Sequence, residues 1–338
     1  MKALFVIKER QVYGTKTACY GLVNSCQFVA NALKRHHIPA EVVQVVDANG
    51  IDRVVTQHRP THCFLEALWV TPSKIAELAP LHPKVYWVIR IHSMVPFLVG
   101  EGMSFDWLNE YTKLRHQGIK VSISANNIKL HQDLLALYPE VSYTPNIYEP
   151  DPQHKGDISS VFSGKHILNI GCFGALRILK NHCQQALWAI HFAEKMKKTL
   201  HFHVNVSNHE TNETSPVLKN LRAIFQGRDH QLIEHTWSPH PDFVELVKQM
   251  DLGMQISFTE TFNVVAADFV FNNVPIVVSP EIDFVGDGYK VDPSKPEKVQ
   301  EALERAYNHR HDTHNKHLLT EHNTKAIKQW LTILPQIR

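Results

Sequence analysis

Short β-branched and aromatic runs alternate with helix-length amphipathic stretches along the whole chain, the pattern of βαβ units and a parallel sheet covered on both faces. In the first half the pattern predicts strands at 4–7, 42–46, 62–65, 85–91, 120–123 and 141–143, with helices between them. The clearest of these helices carries Leu22, Cys26, Val29 and Leu33 at spacings of four, three and four, one apolar stripe at helical period. Around 144–165 the character changes to a polar, proline-rich stretch with Pro145, Pro150, Asp151, Pro152 and Gly156, which neither strand nor helix favours. Alternation then restarts. Strands are expected at 167–170, 200–206, 232–235, 252–256 and 275–279, with helices at 181–197, up to about Gly227, at 240–250 and at 262–272, and two closing helical stretches at 296–309 and 316–333. This divides the chain into a Rossmann-like domain over 1–150, a linker over 151–165, a second Rossmann-like domain over 166–315, and a closing helix over 316–338 that can cross back to the first domain. The expected class is α/β, two doubly wound domains facing each other across a cleft, with the site on strand-to-helix loops.

Composition narrows the picture. A chain of 338 residues with 43% hydrophobic and 20% charged residues excludes disorder, collagen-like repeats and a small disulfide scaffold. Lys plus Arg total 35 against 33 Asp plus Glu, a net charge of +2, too even to indicate by itself a nucleic-acid coat or a membrane-surface protein. Histidine is over-represented at 23 residues, so positive charge climbs steeply in mild acid. The five cysteines (Cys19, Cys26, Cys63, Cys172, Cys183) are widely spaced and never in C-x-x-C, which argues for a reducing, cytoplasmic setting. Apolar windows are broken by Glu66, Arg90 or Asp268, and only five apolar residues follow Lys2, so neither a span nor a leader nor stable membrane association is expected.

Two constellations carry chemistry. The first runs from Ser257 through Glu260, Thr261, Phe262 and Asn263 to Asp268, then through Asn273 and Pro275 to Ser279, and reads strand, polar loop, helix, strand. Glu260 and Asp268 stand eight residues apart, a spacing that returns a side chain to nearly the same helix face and aims both acids into one pocket. The amides of Thr261, Phe262 and Asn263 are expected at the helix N-terminus, where unpaired N–H groups favour a phosphate. The second constellation, Gly171, Gly174, Arg177 and Lys180, follows the first strand of the second domain. Its glycines let backbone approach a ligand and its cations suit a diphosphate.

These motifs resemble the retaining glycosyltransferases of the GT-B fold, whose signature is two glutamates separated by seven residues, followed by Gly-x-Pro-x-Val and a serine. The resemblance covers most of the chain. It implies that Glu260 contacts the donor sugar hydroxyls and Asp268 the nucleotide ribose, while Arg177 and Lys180 hold the pyrophosphate. Asp268 is one methylene shorter than the family's residue, Val274 replaces the glycine before the proline, and Asn263 replaces the loop glycine. In the segment from Glu234 to His240, Trp237 or His235 is placed to stack on a nucleobase, with Trp237 as a core residue the alternative. Thr144, Pro145 and Asn146 match the family's segment at the crossover.

In the first domain a buried strand ends with Arg90 and His92 on one face, which fits a strand opening onto a cleft. The resemblance places His92 close to the donor sugar, which completes a catalytic set of His92, Glu260, Arg177 and Lys180. Glu66 and Arg90 are candidate acceptor contacts. The loop after the first strand, with Lys8, Arg10, Gly14 and Lys16, either meets an anionic acceptor or is simply solvated. Late histidines (His309, His311, His314, His317, His322) lack a completing carboxylate or cysteine, and no D-x-D element holds a divalent ion, so no metal and no cofactor is expected.

The implied activity is transfer of a sugar from a nucleotide-sugar cosubstrate, a UDP-sugar first, to an acceptor hydroxyl, with configuration retained. The segment from Arg90 to Gly102, with Trp107 after it, is loosely similar to phage-encoded GT-B enzymes. It makes a hydroxymethylated base in DNA the favoured acceptor, in the host cytoplasm. A soluble glycan or other small acceptor is the alternative, as is a degenerate module that binds a nucleotide sugar or nucleic acid without turnover.

Overall fold

A computed structural model describes residues 1–12, 15–17, 20–149, 166–206, 215–309 and 312–337. The expected linker over 151–165, together with Gly14, Cys19 and His311, lies outside the described residues. The chain forms two compact units, Met1–Pro150 with Asn323–Arg338, and Asp151–His322.

In the first unit the strands are β1 (Ala3–Lys8), β2 (Arg10–Val12), β3 (Thr15–Thr17), β4 (Ala40–Val45), β5 (His62–Glu66), β6 (Tyr86–Ile91), β7 (Val121–Ala125) and β8 (Ser142–Tyr143). The helices are α1 (Tyr20–Arg35), α2 (Gly50–His58), α3 (Pro72–Leu81), α4 (Val95–Leu98), α5 (Ser104–His116) and α6 (Ile128–Leu135). Six strands make one all-parallel sheet in the order β4-β1-β5-β6-β7-β8. A sheet covered on both faces needs apolar side chains on both sides of each strand, and β1 is buried from Ala3 through Ile7. The α1 stripe packs as its period requires, with Cys26, Val29 and Leu33 inaccessible. Where a loop is expected after β1, the chain instead forms an antiparallel hairpin, β2 against β3, with Arg10 opposite Thr17 and Gln11 opposite Lys16.

The second unit holds β9 (Ile167–Gly171), β10 (Thr199–Val206), β11 (Gln231–Thr236), β12 (Leu252–Gln255) and β13 (Ile276–Val278), with α7 (His182–Lys195), α8 (Pro216–Phe225), α9 (His240–Val247), α10 (Val264–Phe271) and α11 (Val299–Asn308). Its parallel sheet runs β11-β10-β9-β12-β13, the Rossmann order for five strands. Strand order reverses between β9 and β12, so the loops leaving those two neighbouring strands border the crevice at the carboxyl edge. The last helix, α12 (His314–Ile333), begins among residues of the second unit and continues into the first. There Trp330 packs on Phe5 and Phe64 and its indole N–H donates to the carbonyl of Pro145.

No helix among the described residues is long and apolar enough to cross a membrane.

Candidate functional site

The loops that leave β9 and β12 are laced together at the point where strand order reverses. The amide of Phe258 donates to the carbonyl of Leu179 at 2.9 Å, Asn181 Nδ2 donates to the carbonyl of Ile256 at 3.2 Å, and the Ile256 amide donates to Gln185 Oε1 at 2.8 Å. Lys180, closing a short 3-10 turn (Ile178–Lys180), donates from Nζ to Glu260 Oε1. That carboxylate is only 5% accessible and also accepts from Ser257 Oγ at 2.9 Å and Asn263 Nδ2 at 3.0 Å. A charge so buried requires a counter-charge and hydrogen-bond donors, and Lys180, Ser257 and Asn263 provide both. Lys180 keeps 23% of its side chain accessible, so its ammonium edge borders solvent. Arg177, three residues earlier, is exposed.

The helix after this loop starts two residues later than expected. Asn263, not Thr261, is its cap, in a left-handed conformation at φ 63° that asparagine tolerates better than other non-glycine residues. This accounts for the asparagine where the resembling family has glycine. Asn263 Oδ1 accepts the amide of Ala266 at 2.9 Å. The helix N-terminal amides therefore belong to Val264 and its successors, one of them already capped, and not to Thr261, Phe262 and Asn263. Thr261 is partly exposed in the loop, whereas the Phe262 side chain is buried against Phe284 and His322, with ring centroids 5.0 and 5.2 Å away.

Asp268 pairs with a histidine. Buried to 1% exposure, it accepts from His240 Nε2 at 2.7 Å. His240 at the start of α9 is therefore part of this surface, and the strand-turn-helix segment from Glu234 was the available signal for it. Trp237 is half-buried. His235 stacks on His203 instead, with centroids 5.1 Å apart at 11°. Burial, reinforced by His235 and His201, pushes His203 down to about 3.

The two glycines serve different needs. A Cβ on Gly171 would lie 2.6 Å from the Phe173 ring and 2.8 Å from that of Phe269, so packing rather than ligand approach requires glycine there. Gly174 has φ +108° with nothing within 4 Å of a Cβ, and its amide donates to Asn205 Oδ1 at 3.1 Å.

In the first unit, Glu66 and Arg90 lie inside the protein rather than on an acceptor surface. Both side chains are 0% accessible, with Arg90 Nη1 donating to Glu66 Oε2 at 3.0 Å. Arg90 also donates to the Thr144 carbonyl through Nε at 3.1 Å and Nη2 at 2.9 Å, and to Asn146 Oδ1 at 2.6 Å. The expectation fails because a polar group at a strand end can be satisfied from within, here by residues more than fifty positions away. Burial alone would raise Glu66, but Arg90 and His92 pull its carboxyl down to about 2. What this pair presents is His92, whose Nε2 meets Glu66 Oε2 and whose Nδ1 faces Asn126 Nδ2 at 3.3 Å. Asn126, just beyond β7, carries the same strand-end signal as His92 and was missed. Lys8 is exposed at the end of β1; Arg10 and Lys16 lie on the β2–β3 hairpin. Of the late histidines, His309 bonds the Arg305 carbonyl, His317 pairs with Glu321 and His322 with Asp283.

No protein-family model and no curated protein matches the sequence. The fold, by contrast, is shared with solved structures along the whole chain. HepE of Anabaena, solved in complex with UDP-glucose, superposes with a TM-score of 0.61 at 14% identity over 100% of this chain and 98% of its own. A glycosyltransferase from Rickettsia africae gives 0.63 at 12% identity, over 99% and 98% of the two chains. A UDP-forming α,α-trehalose-phosphate synthase from Burkholderia xenovorans gives 0.64 at 12%, over 100% and 99%. The fold is GT-B, built from two Rossmann-like domains.

Proposed function

We propose that this chain is a glycosyltransferase that moves a sugar from a UDP-sugar to an acceptor hydroxyl. The observation that carries the reading is the pairing of Lys180 with Glu260 across the two loops that flank the strand-order reversal of the second unit. An ammonium beside a carboxylate there suits a ligand with an anionic part and a hydroxylated part: on binding, Lys180 and Arg177 turn to the diphosphate and Glu260 to sugar hydroxyls. Before binding, each of the paired groups keeps the other in place. Neighbours of the same fold solved with UDP and with UDP-glucose support uridine as the nucleoside. His240 and Asp268 then meet the ribose, Trp237 the base, and Gly174, Thr261 and the α10 amides the rest of the donor.

Departing diphosphate, stabilised by Lys180 and Arg177, accepts the acceptor proton, and attack on the same face retains configuration. No metal or other cofactor is assigned a role. The acceptor we favour is a hydroxymethylated base in DNA, on the strength of the exposed Lys8 and Lys34 and the cationic hairpin positions. Arg35, by contrast, is already paired with Glu149.

Calorimetry with UDP and UDP-glucose, followed by UDP release in the presence of acceptors, tests the reading. Binding of both compounds by the wild type, with UDP release that disappears in Glu260→Gln, supports it; a chain that binds neither compound overturns it. Salt decides the acceptor, since duplex binding that does not weaken from low to physiological salt excludes DNA in favour of a soluble glycan.

A further inference from the structure

We infer that Glu66 and Arg90 are positioning residues that hold His92 as the neutral tautomer with hydrogen on Nε2, so that Nδ1 offers a lone pair to a sugar hydroxyl. The hydroxyl's identity rests on the transferase reading above; the tautomer does not.

The argument starts from the one group in the cluster that cannot lose its proton. The Arg90 guanidinium is fixed by the Thr144 carbonyl and Asn146, and it donates to Glu66 Oε2. It therefore keeps Glu66 ionised, in agreement with the depressed carboxyl. An ionised carboxylate only accepts hydrogen bonds, so the nitrogen facing it, His92 Nε2, carries the hydrogen; Arg90 Nη1 also lies 3.4 Å from that nitrogen, a longer contact than its 3.0 Å bond to Glu66 Oε2.

At the other side of the ring, Nδ1 faces the Asn126 amide nitrogen at 3.3 Å. An amide N–H can donate there only if Nδ1 is unprotonated. Burial pushes the proton affinity of His92 down by more than Glu66 pulls it up, which keeps the ring neutral. The result is a hydrogen-bond acceptor at Nδ1 whose contact with Asn126 is long and so readily exchanged. Such a group accepts from a hydroxyl and offers nothing to a phosphate oxygen. The ring is 12% accessible, enough for an edge to reach a ligand but too little for free rotation.

The tautomer is read directly, without turnover, from a two-dimensional proton–nitrogen spectrum of the full-length protein labelled in histidine at pH 7.5, with His92 assigned by its loss in His92→Gln. The inference expects a protonated Nε2 and an unprotonated Nδ1 in the wild type. A doubly protonated ring, or hydrogen on Nδ1, overturns it. Glu66→Gln removes the pure acceptor and is expected to mix the two tautomers; if that variant does not fold, the wild-type spectrum decides alone. Asn126→Asp keeps the size but puts an acceptor opposite Nδ1, so the ring should hold both protons and UDP release from UDP-glucose should fall by about tenfold or more. Unchanged release together with a doubly protonated ring in Asn126→Asp counts against the lone pair at Nδ1. A wild type that releases no UDP counts against the transferase reading and leaves the tautomer result standing.

Discussion

Asn323 grips the backbone of Tyr148 at both of its polar groups. Its Oδ1 accepts the Tyr148 amide at 2.9 Å and its Nδ2 donates to the Tyr148 carbonyl at 2.7 Å, across 175 residues of sequence. The contact ties α12 to the segment just before Pro150, where Tyr148 is buried against Phe28 with ring centroids 5.1 Å apart. Asn323→Ala deletes both hydrogen bonds and is expected to cost about 2 kcal/mol, at roughly 1 kcal/mol for each bond. The urea midpoint measures it. A midpoint equal to the wild type would show that the clamp is not formed in solution.

Gly171→Ala and Gly174→Ala separate two reasons for glycine in one short segment. The first forces a methyl group against Phe173, Phe269 and Met250, with the nearest atoms 2.6, 2.8 and 3.0 Å away, and should destabilise by about 1–3 kcal/mol through overpacking. The second meets no neighbour but must hold φ +108°, so its cost of roughly 1–3 kcal/mol is backbone strain. Enlarging the side chain distinguishes them: Gly171→Val should be much worse than Gly171→Ala, while Gly174→Val should differ little from Gly174→Ala. Equal responses of the two positions in thermal melts would refute the packing account.

The elements and their order were legible because most strands of both parallel sheets are apolar runs with a helix-length stretch after them. The Lys180–Glu260 meeting was legible only indirectly, as two polar loops after β9 and β12 whose convergence follows from strand order. The helix start was placed early because Thr259, Thr261 and Asn263 are all residue types that cap helices, and only the structure shows that Asn263 is the one that does. Glu66 and Arg90 read as surface groups because the residues that satisfy Arg90, Thr144 and Asn146, are distant in sequence. The β2–β3 hairpin was missed because its six residues, Arg10–Val12 and Thr15–Thr17, are mostly polar and show no hydrophobic alternation.

Glu260→Gln isolates charge from shape. The amide keeps an oxygen for Ser257 and fills the same space, while Lys180, already partly accessible, turns to water. Stability should fall by about 1–3 kcal/mol, the worth of a hydrogen bond to a buried charge, because the Lys180 ammonium left behind can reach water. UDP-sugar turnover should fall by about a hundredfold or more if the carboxylate binds sugar hydroxyls in the transition state. Lys180→Ala should instead weaken UDP binding itself. Should Lys180→Ala bind UDP as tightly as the wild type, the diphosphate assignment is wrong even if Glu260→Gln is inactive.

Acid should loosen the second unit well above the pH at which carboxylates protonate. Burial, with Lys180 adding to it, holds His182 at about 3, and His203 is held at about 3 as well. Free histidine titrates near 6.5, so between about pH 6.5 and 3 the unfolded chain binds protons at these two positions that the folded chain does not. Folding stability therefore falls as pH falls through that window, at a limiting slope of about 1.4 kcal/mol per pH unit for each histidine. Glu66, with its carboxyl at about 2, adds a loss of the same sign below about pH 4.5, separable because it begins two pH units lower. Neither ring nitrogen of His182 has a hydrogen-bond partner among the described residues. His182→Leu should therefore raise stability at pH 7.5 by about 1 kcal/mol, by removing a buried unsatisfied polar group, and make the slope between pH 6.5 and 5 shallower. Urea midpoints taken across that range provide the check. A slope unchanged in His182→Leu would mean that the ring is protonated or hydrated in the folded protein.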